Sequence, residues 1–353
     1  MASSHMKKIV WGCILLLTSI VFFSSSLCAQ QQTQSVSQET GFYYTVQDGD
    51  TLWDISRKFF TSPWLWPDLW AQNQEMTNPH WIYPGDVLHI YMQGGKVHVE
   101  KVEKASPPSA PATELPTAPA KPSGQAYYLY SSIQQVGFIR KPAVSPDGVI
   151  FKIQGGKVMA STGDILYIRQ EEGGSLPVGS RFTLYRTFPP IQDPEDKKAT
   201  VGTQHYFTGV AEITRQENGY SLAKVVKNYR AIEIDDRAIP YEKLSTKVYL
   251  PGNTPDITGT ILLSEEQTNL MGEHTVAFID KGKRDGVVPG QQFHVYHQDE
   301  MRLNSEDDEA TLLPPEDAGI ILVLRTELNT ATVVVLASKT EMAPGAKFAT
   351  TLK

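Results

Sequence analysis

Residues Val178–Tyr185 and Pro289–Tyr296 spell similar words, sharing Gly, Phe and Tyr in register 111 positions apart. Ile165–Ile168 matches Val276–Ile279 at the same offset. Gly209–Ala211 matches Gly319–Ile321 at 110, and Ala223–Val226 matches Ala331–Val334 at 108. Ordered matches at a nearly constant offset are the mark of a duplicated module. The words are short, rich in β-branched residues and bounded by Gly, Asn and Asp. The first copy gives Val149–Ile153, Asp164–Ile168, Arg181–Tyr185 and Ser221–Val226. The second gives Thr275–Ile279, Gln292–Tyr296, Gly319–Leu324 and Thr330–Leu336. This texture predicts an all-β region with no long helical period. The glycine of each Gly-x-x-Phe word sets a turn, after which Phe and Tyr, three apart, fall on opposite faces of a strand.

The earlier part of the chain is built differently. Met1–His5 reads as an expression-vector scar, and 6–29 as a secretory signal peptide. Lys7 and Lys8 precede an apolar run from Ile9 to Phe23, and small residues follow at Ser24–Ser26. Fifteen helical residues span about 22 Å, short of the ~30 Å of a bilayer core. Leu27 before Cys28 does not suit lipid attachment, which favours an unlipidated mature chain starting near Gln30. Cys13 and Cys28 then leave with the leader, and the formal charge goes from −7 to −9. Residues 30–41, rich in Gln, Ser and Thr, are expected to be disordered. After a compact aromatic stretch, Pro107, Pro108, Pro111, Pro116, Pro119 and Pro122 punctuate a Pro/Ala-rich linker at 93–125. At 3.1 Å per residue, Ser106–Ser123 would hold its ends on the order of 50 Å apart.

That aromatic stretch, 42–92, contains five of the six tryptophans. Tyr44-Thr45-Val46 alternates as a strand. Thr51 and Asp54 form a capping pair, and Leu52, Ile55 and Phe59 recur on one helical face. Ser62-Pro63 and Trp66-Pro67 read as a second helix start. Asn78-Pro79 and Tyr83-Pro84-Gly85-Asp86 are turns, and Val87–Ile90 returns as a strand. The expected fold is therefore multidomain. A small α+β module of order βααβ comes first, then the linker, then all-β repeated C-terminal domains at 126–245 and 246–353.

The words Tyr44–Ile55, Asn78-Pro79 and Ile82–Leu88 resemble the LysM family. That resemblance implies binding of N-acetylglucosamine-containing glycans, peptidoglycan or chitin, in a shallow groove between two loops. Carried over residue by residue, the groove is Gly49, Asp50, Thr51 and Leu52 on one side and Asn78, Pro79, Ile82 and Tyr83 on the other. Backbone groups in two turns would bond the N-acetyl amide, and Leu52 or Ile82 would pack on its methyl. An alternative stays open for each residue. Gly49, Pro84 and Gly85 can simply shape turns, and Leu52 and Ile82 can be core. Trp64, Trp66 and Trp81 suit either a sugar platform or a packed interior.

The insert Phe60–Trp70, the form Asn78–Asp86 and the word Lys283–Tyr296 extend the likeness. They resemble the TsaP-like family of type IV pilus secretin-associated proteins, whose C-terminal region is FlgT-like. That resemblance implies a periplasmic adaptor, bound to peptidoglycan glycan strands and to an outer-membrane secretin, with a ring-forming homo-oligomer around it. A scaffold of another envelope machine, such as the flagellar basal body, is the alternative, with a cell-wall hydrolase behind it.

Catalytic, metal and cofactor sites are not expected. A thiol hydrolase needs a cysteine that the mature chain lacks. Zinc hydrolases need clustered ligands, whereas His80, His89, His98, His205, His274, His294 and His297 are scattered. His294 and His297, the closest pair, point to opposite faces of a strand. Glu306–Glu309 reads as a solvated acidic loop, and no glycine run has phosphate-loop spacing. Nothing concentrates Lys and Arg as a nucleic-acid partner would require.

Overall fold

The computed structural model describes residues 40–51, 55, 59, 82–93, 96–102, 125–193, 196, 198–252, 255–301 and 311–352. The chain divides into two units, Met1–Thr40 and Gly41–Lys353. The expected leader, and all of the expected disordered stretch except Thr40 and Gly41, lie outside the described residues. Gly41 itself opens a strand.

The repeat fixes the architecture of the second unit. In the first copy, six strands close on themselves in the order Gly148–Ile153, Ile165–Gln170, Tyr220–Asn228, Thr200–Glu217, Arg181–Thr187 and Arg237–Pro240. In the second copy, Thr258–Ser264, Val276–Ile279, Ala331–Ser338, Glu316–Thr326, Gln292–His297 and Lys347–Ala349 close a barrel in the same order. Equivalent backbone bonds recur. Gly179 N–H donates to Ile213 O and Gly290 N–H to Val323 O, both at 2.8 Å. The last sequence match shifts: Ala223 pairs with Ile213 where Val333 pairs with Val323, so the structural offset there is 110 and not 108.

Inward positions alternate with outward ones, as the strand period of two requires. Leu166, Phe182, Leu184, Ile213 and Val225 fill the first barrel. Ala277, Phe293, Val295, Val323 and Val335 fill the second. Gly209 and Gly319 hold the place where the long strand crosses closely over its neighbour. A Cβ there would lie 2.6 Å from Lys227 O and 2.1 Å from Ala337 O respectively, contacts no other residue tolerates without moving backbone.

The expected βααβ module is corrected. The described structure is nearly all β, with no helix of seven or more residues. Within 52–81, only Ile55 and Phe59 are described; both are helical, and Ile55 N–H donates to Thr51 O at 3.0 Å. The proline-started second helix falls outside the described residues. The physical reason lies in pairing that a helical period does not report. Gly41–Thr45 pairs with Val87–Gln93, and a two-stranded ribbon is marginal alone. Lys96–Val102, Tyr127–Leu129 and Lys247–Tyr249 extend it to a five-stranded sheet. Two of these strands lie near or beyond the ends of the expected linker, and Lys96–Val102 lies inside it.

This sheet does not stand apart from the repeats. Phe42, Tyr44, Leu88, Ile90 and Tyr128 share one buried cluster with Ile320, Leu322, Leu324, Val334 and Leu336 of the second barrel. These are the outward residues of strands whose inward residues fill the barrel. Glu316–Thr326 and Ala331–Ser338 are thus apolar on both faces because both faces are covered.

The two barrels meet along a polar seam, where Gln204 Nε2 donates to Glu265 O at 2.8 Å and Thr332 Oγ1 donates to Gly137 O at 2.9 Å. His205, fully buried, stacks on Phe138 with ring centroids 4.5 Å apart. Its Nε2 accepts the Val144 N–H and its Nδ1 faces Thr203 O, each at 3.0 Å, which fixes the neutral Nδ1–H form. Burial pushes its pKa down to about 4, and the Arg140 charge acts in the same direction. A depressed pKa gives stability that is present above pH 6.5 and lost as pH falls through about 4. Acidification across that window is expected to cost on the order of 3 kcal/mol. His205→Gln should flatten this part of the urea-unfolding profile; an unchanged acid slope in the variant would assign the loss to other groups.

Candidate functional site

Two turns with the same internal wiring leave one end of the Gly41–Thr45 and Val87–Gln93 strands. In the first, Asp50 Oδ2 accepts the Gln47 N–H at 2.7 Å, and Asp50 N–H returns to Gln47 O at 3.2 Å. In the second, Asp86 Oδ2 accepts the Tyr83 N–H at 3.1 Å, and Asp86 N–H returns to Tyr83 O at 3.0 Å. Each turn ends in Gly-Asp, with Gly49 at φ 84° and Gly85 at φ 90°. The aspartate closes the turn and the glycine accepts the positive φ.

The strand ladder ties the turns side by side. Val46 N–H donates to Asp86 O at 2.8 Å, and Gly85 N–H donates to Val46 O at 2.9 Å. The Tyr44 hydroxyl reaches from the sheet to Asp50 Oδ2 at 2.5 Å. Lys101 Nζ lies 2.9 Å from Asp86 Oδ2. Both carboxylates are therefore spent on holding the turns.

Of the residues expected to line a groove, Gly49 and Asp50 belong to the first turn and Thr51 follows it, while Tyr83 opens the second turn and Ile82 precedes it. Gly49 and Thr51 are exposed, Asp50 is half-buried, and Tyr83 is 59% exposed. Ile82 packs against the buried cluster beneath, so the core reading holds for part of its surface. Leu52, Asn78 and Pro79 lie outside the described residues, as do Trp64, Trp66 and Trp81. Sequence reasoning missed Tyr44, Asp86 and Lys101 as supports. The signal for Asp86 was present, because Gly49-Asp50 and Gly85-Asp86 are the same pair of residues at both turns.

Two adjacent turns with exposed backbone and one exposed phenol suit a neutral polar ligand with an apolar edge. Among the described residues, no group of three His, Cys, Asp or Glu is placed to hold a metal ion.

Residues 44–90 match the LysM domain family model. The chain carries a LysM domain. The match takes in Tyr44 and Thr45 at the end of the first strand, both Gly-Asp turns and Val87–Ile90 of the second strand, and a LysM domain is a binding domain and not a catalytic one. A 57-residue stretch is also 39% identical to the uncharacterized protein YqbP of Bacillus subtilis (strain 168). That match covers 13% of this chain and 26% of the relative, so the chain spans about a quarter of the curated relative it matches.

Proposed function

We propose that the chain is a non-catalytic adaptor that grips peptidoglycan glycan strands through N-acetylglucosamine. The paired turns of the LysM domain carry this reading. Gly49, Asp50, Thr51, Ile82 and Tyr83 sit in or beside these turns at one end of the sheet, the Asp50 and Asp86 carboxylates are already engaged, and backbone groups and the Tyr83 ring are left to meet an acetylated sugar. The finer part of the proposal places the protein in the periplasm, with several copies around an outer-membrane secretin. It rests on the resemblance of Phe60–Trp70 and Asn78–Asp86 to secretin-associated proteins, and of Lys283–Tyr296 to their FlgT-like region.

The docking of the LysM sheet on the second barrel shapes the mechanism. The glycan site is held in fixed relation to that barrel by the shared cluster, so load on the glycan passes into the repeats through a packed interface. It also dictates the experiment. Cutting at residue 95 would strip the strand Lys96–Val102 from the N-terminal piece and uncover Leu322 and Val334, both fully buried, on the remainder. The full chain is the right reagent. It is expected to co-sediment with purified sacculi, and cross-linking in cells should recover an outer-membrane secretin; recovery of basal-body ring proteins instead would redirect the partner assignment.

A further inference from the structure

Each barrel carries an arm and a socket, and one pair of them is already joined inside the chain. The arm of the first barrel is the ribbon of Ile191–Gln192 paired with Thr200–Glu217. Its Ile191 and Val201, with Ile139, pack against Leu262 and Phe278 on the outer face of the second barrel. At the rim of that socket, Glu327 accepts Arg140 Nε and Nη2 at 2.8 and 3.0 Å. Thr330 Oγ1 donates to Ile139 O at 2.7 Å.

The repeat places the same socket on the first barrel. At offsets of 110 and 111, Leu262, Phe278, Glu327 and Thr330 become Phe151, Tyr167, Glu217 and Tyr220. The rings of Phe151, Tyr167 and Tyr220 cluster with centroids 5.9 to 6.1 Å apart. Phe151 is 40% exposed, where its counterpart Leu262 is 8% exposed. Glu217 pairs with Arg215 as Glu327 pairs with Arg325. The second barrel repeats the arm as Glu300–Met301 paired with Thr311–Leu312. Met301 and Leu312 are each 54% exposed. Asp299 precedes this arm and Glu300 begins it, while Lys152 and Arg169, the latter 3.2 Å from Glu171, flank the open socket; Asp299, Glu300, Lys152 and Arg169 are all exposed.

We propose that the chain associates head to tail with itself, the Met301/Leu312 arm of one copy seating on the Phe151/Tyr167/Tyr220 socket of the next. The contact repeats between chains what the first arm does within one, and its flanking charges are of opposite sign. A contact between unlike surfaces builds rings or filaments and not two-fold dimers. The proposal rests on the several-copy part of the reading above. Its test contains no glycan, so its failure and a failure of sugar binding are separate results.

The test uses the full chain with Cys13→Ser and Cys28→Ser. One preparation carries Phe151→Cys and another Met301→Cys, and each is oxidised alone and as an equal mixture. A second pair, Tyr167→Cys with Leu312→Cys, guards against poor disulfide geometry, and circular dichroism confirms that every variant keeps the parent fold. Disulfide-linked dimer is expected in the mixtures at least tenfold above either variant alone. Absence of cross-link in both mixtures overturns the proposal. So does equal cross-linking of Phe151→Cys by itself, which would mean socket against socket.

Discussion

Arg230→Ala is expected to lower the unfolding free energy by about 3–5 kcal/mol, the cost of stranding a buried charge. Arg230 is the hub of the seam between the barrels. Its Nη2 lies 3.1 Å from Glu265 Oε2 and 2.6 Å from Glu266 Oε1. Its Nη1 donates to Phe207 O at 2.8 Å and to Gln135 O at 3.0 Å. The guanidinium also sits 4.1 Å over the Tyr206 ring. Glu265 is 3% exposed, and its Oε1 accepts the Gly137 N–H at 2.6 Å. Burial raises the Glu265 pKa, while Arg230 and the Gly137 bond oppose that rise. Removing Arg230 leaves a carboxylate that neither water nor a cation can satisfy. For a unit of this size, the melting temperature should fall on the order of 10 °C.

The sign of the pH effect follows. A raised carboxyl pKa means stability that is present at low pH and lost as pH rises. The Arg230→Ala deficit should therefore be largest near neutrality and shrink on acidification, where the protonated acid needs no cation. Adding Glu265→Gln should recover more than half of the loss, because an amide can still accept the Gly137 N–H. A deficit below 1 kcal/mol, or no recovery in the double variant, would remove the seam from the account of stability.

Phe59→Ala is expected to cost a similar amount, about 3–5 kcal/mol. Phe59 is fully buried, and its ring lies 5.2 Å from Phe42 and 5.4 Å from Tyr44. It is the described residue that fastens the 52–81 segment to the sheet, with Ile55 one turn before it. The loss should fall on the LysM sheet before the barrels. The tryptophans separate the two, since Trp53, Trp64, Trp66, Trp70 and Trp81 all fall within the LysM match and the remaining one, Trp11, outside both barrels. Urea unfolding followed by tryptophan fluorescence should shift to lower urea by more than the far-ultraviolet circular dichroism does. Coincident shifts would mean that sheet and barrels unfold as one cooperative unit.

The all-β character of the repeats was legible in the sequence, though not their closure into barrels, because duplication leaves two independent copies of each strand word. Phe182 and Phe293, or Leu184 and Val295, check one another, and short β-branched runs set off by glycine leave little choice of element. The module before them was less legible. Leu52, Ile55 and Phe59 have helical spacing, but spacing within eight residues does not report which strands will pair. Val97 and Val99 alternate with His98 and Glu100 as a strand, yet the proline-rich run that follows drew Lys96–Val102 into a linker. Tyr127–Leu129 and Lys247–Tyr249 are three residues each, below the length at which alternation can be read. The docking of sheet on barrel had a sequence signal in Ile320–Leu324, apolar at every position, which implies cover on both faces. For the site, Tyr83 was placed on the exposed turn by its Pro-Gly-Asp neighbours. The burial of part of Ile82 depended on the layer beneath, which no local word encodes.

A titration of the isotope-labelled full chain with N-acetylglucosamine tetramer tests the central claim most directly. Amide shifts are expected at Gly49, Asp50, Thr51 and Tyr83, with little change in either barrel, and Tyr83→Ala should weaken binding about tenfold or more. Asp50→Ala, which unties Tyr44 and Gln47, should do the same while Lys101→Ala leaves binding near the parent value. Saturation with no shift at either Gly-Asp turn, or shifts confined to the barrels, would contradict the account.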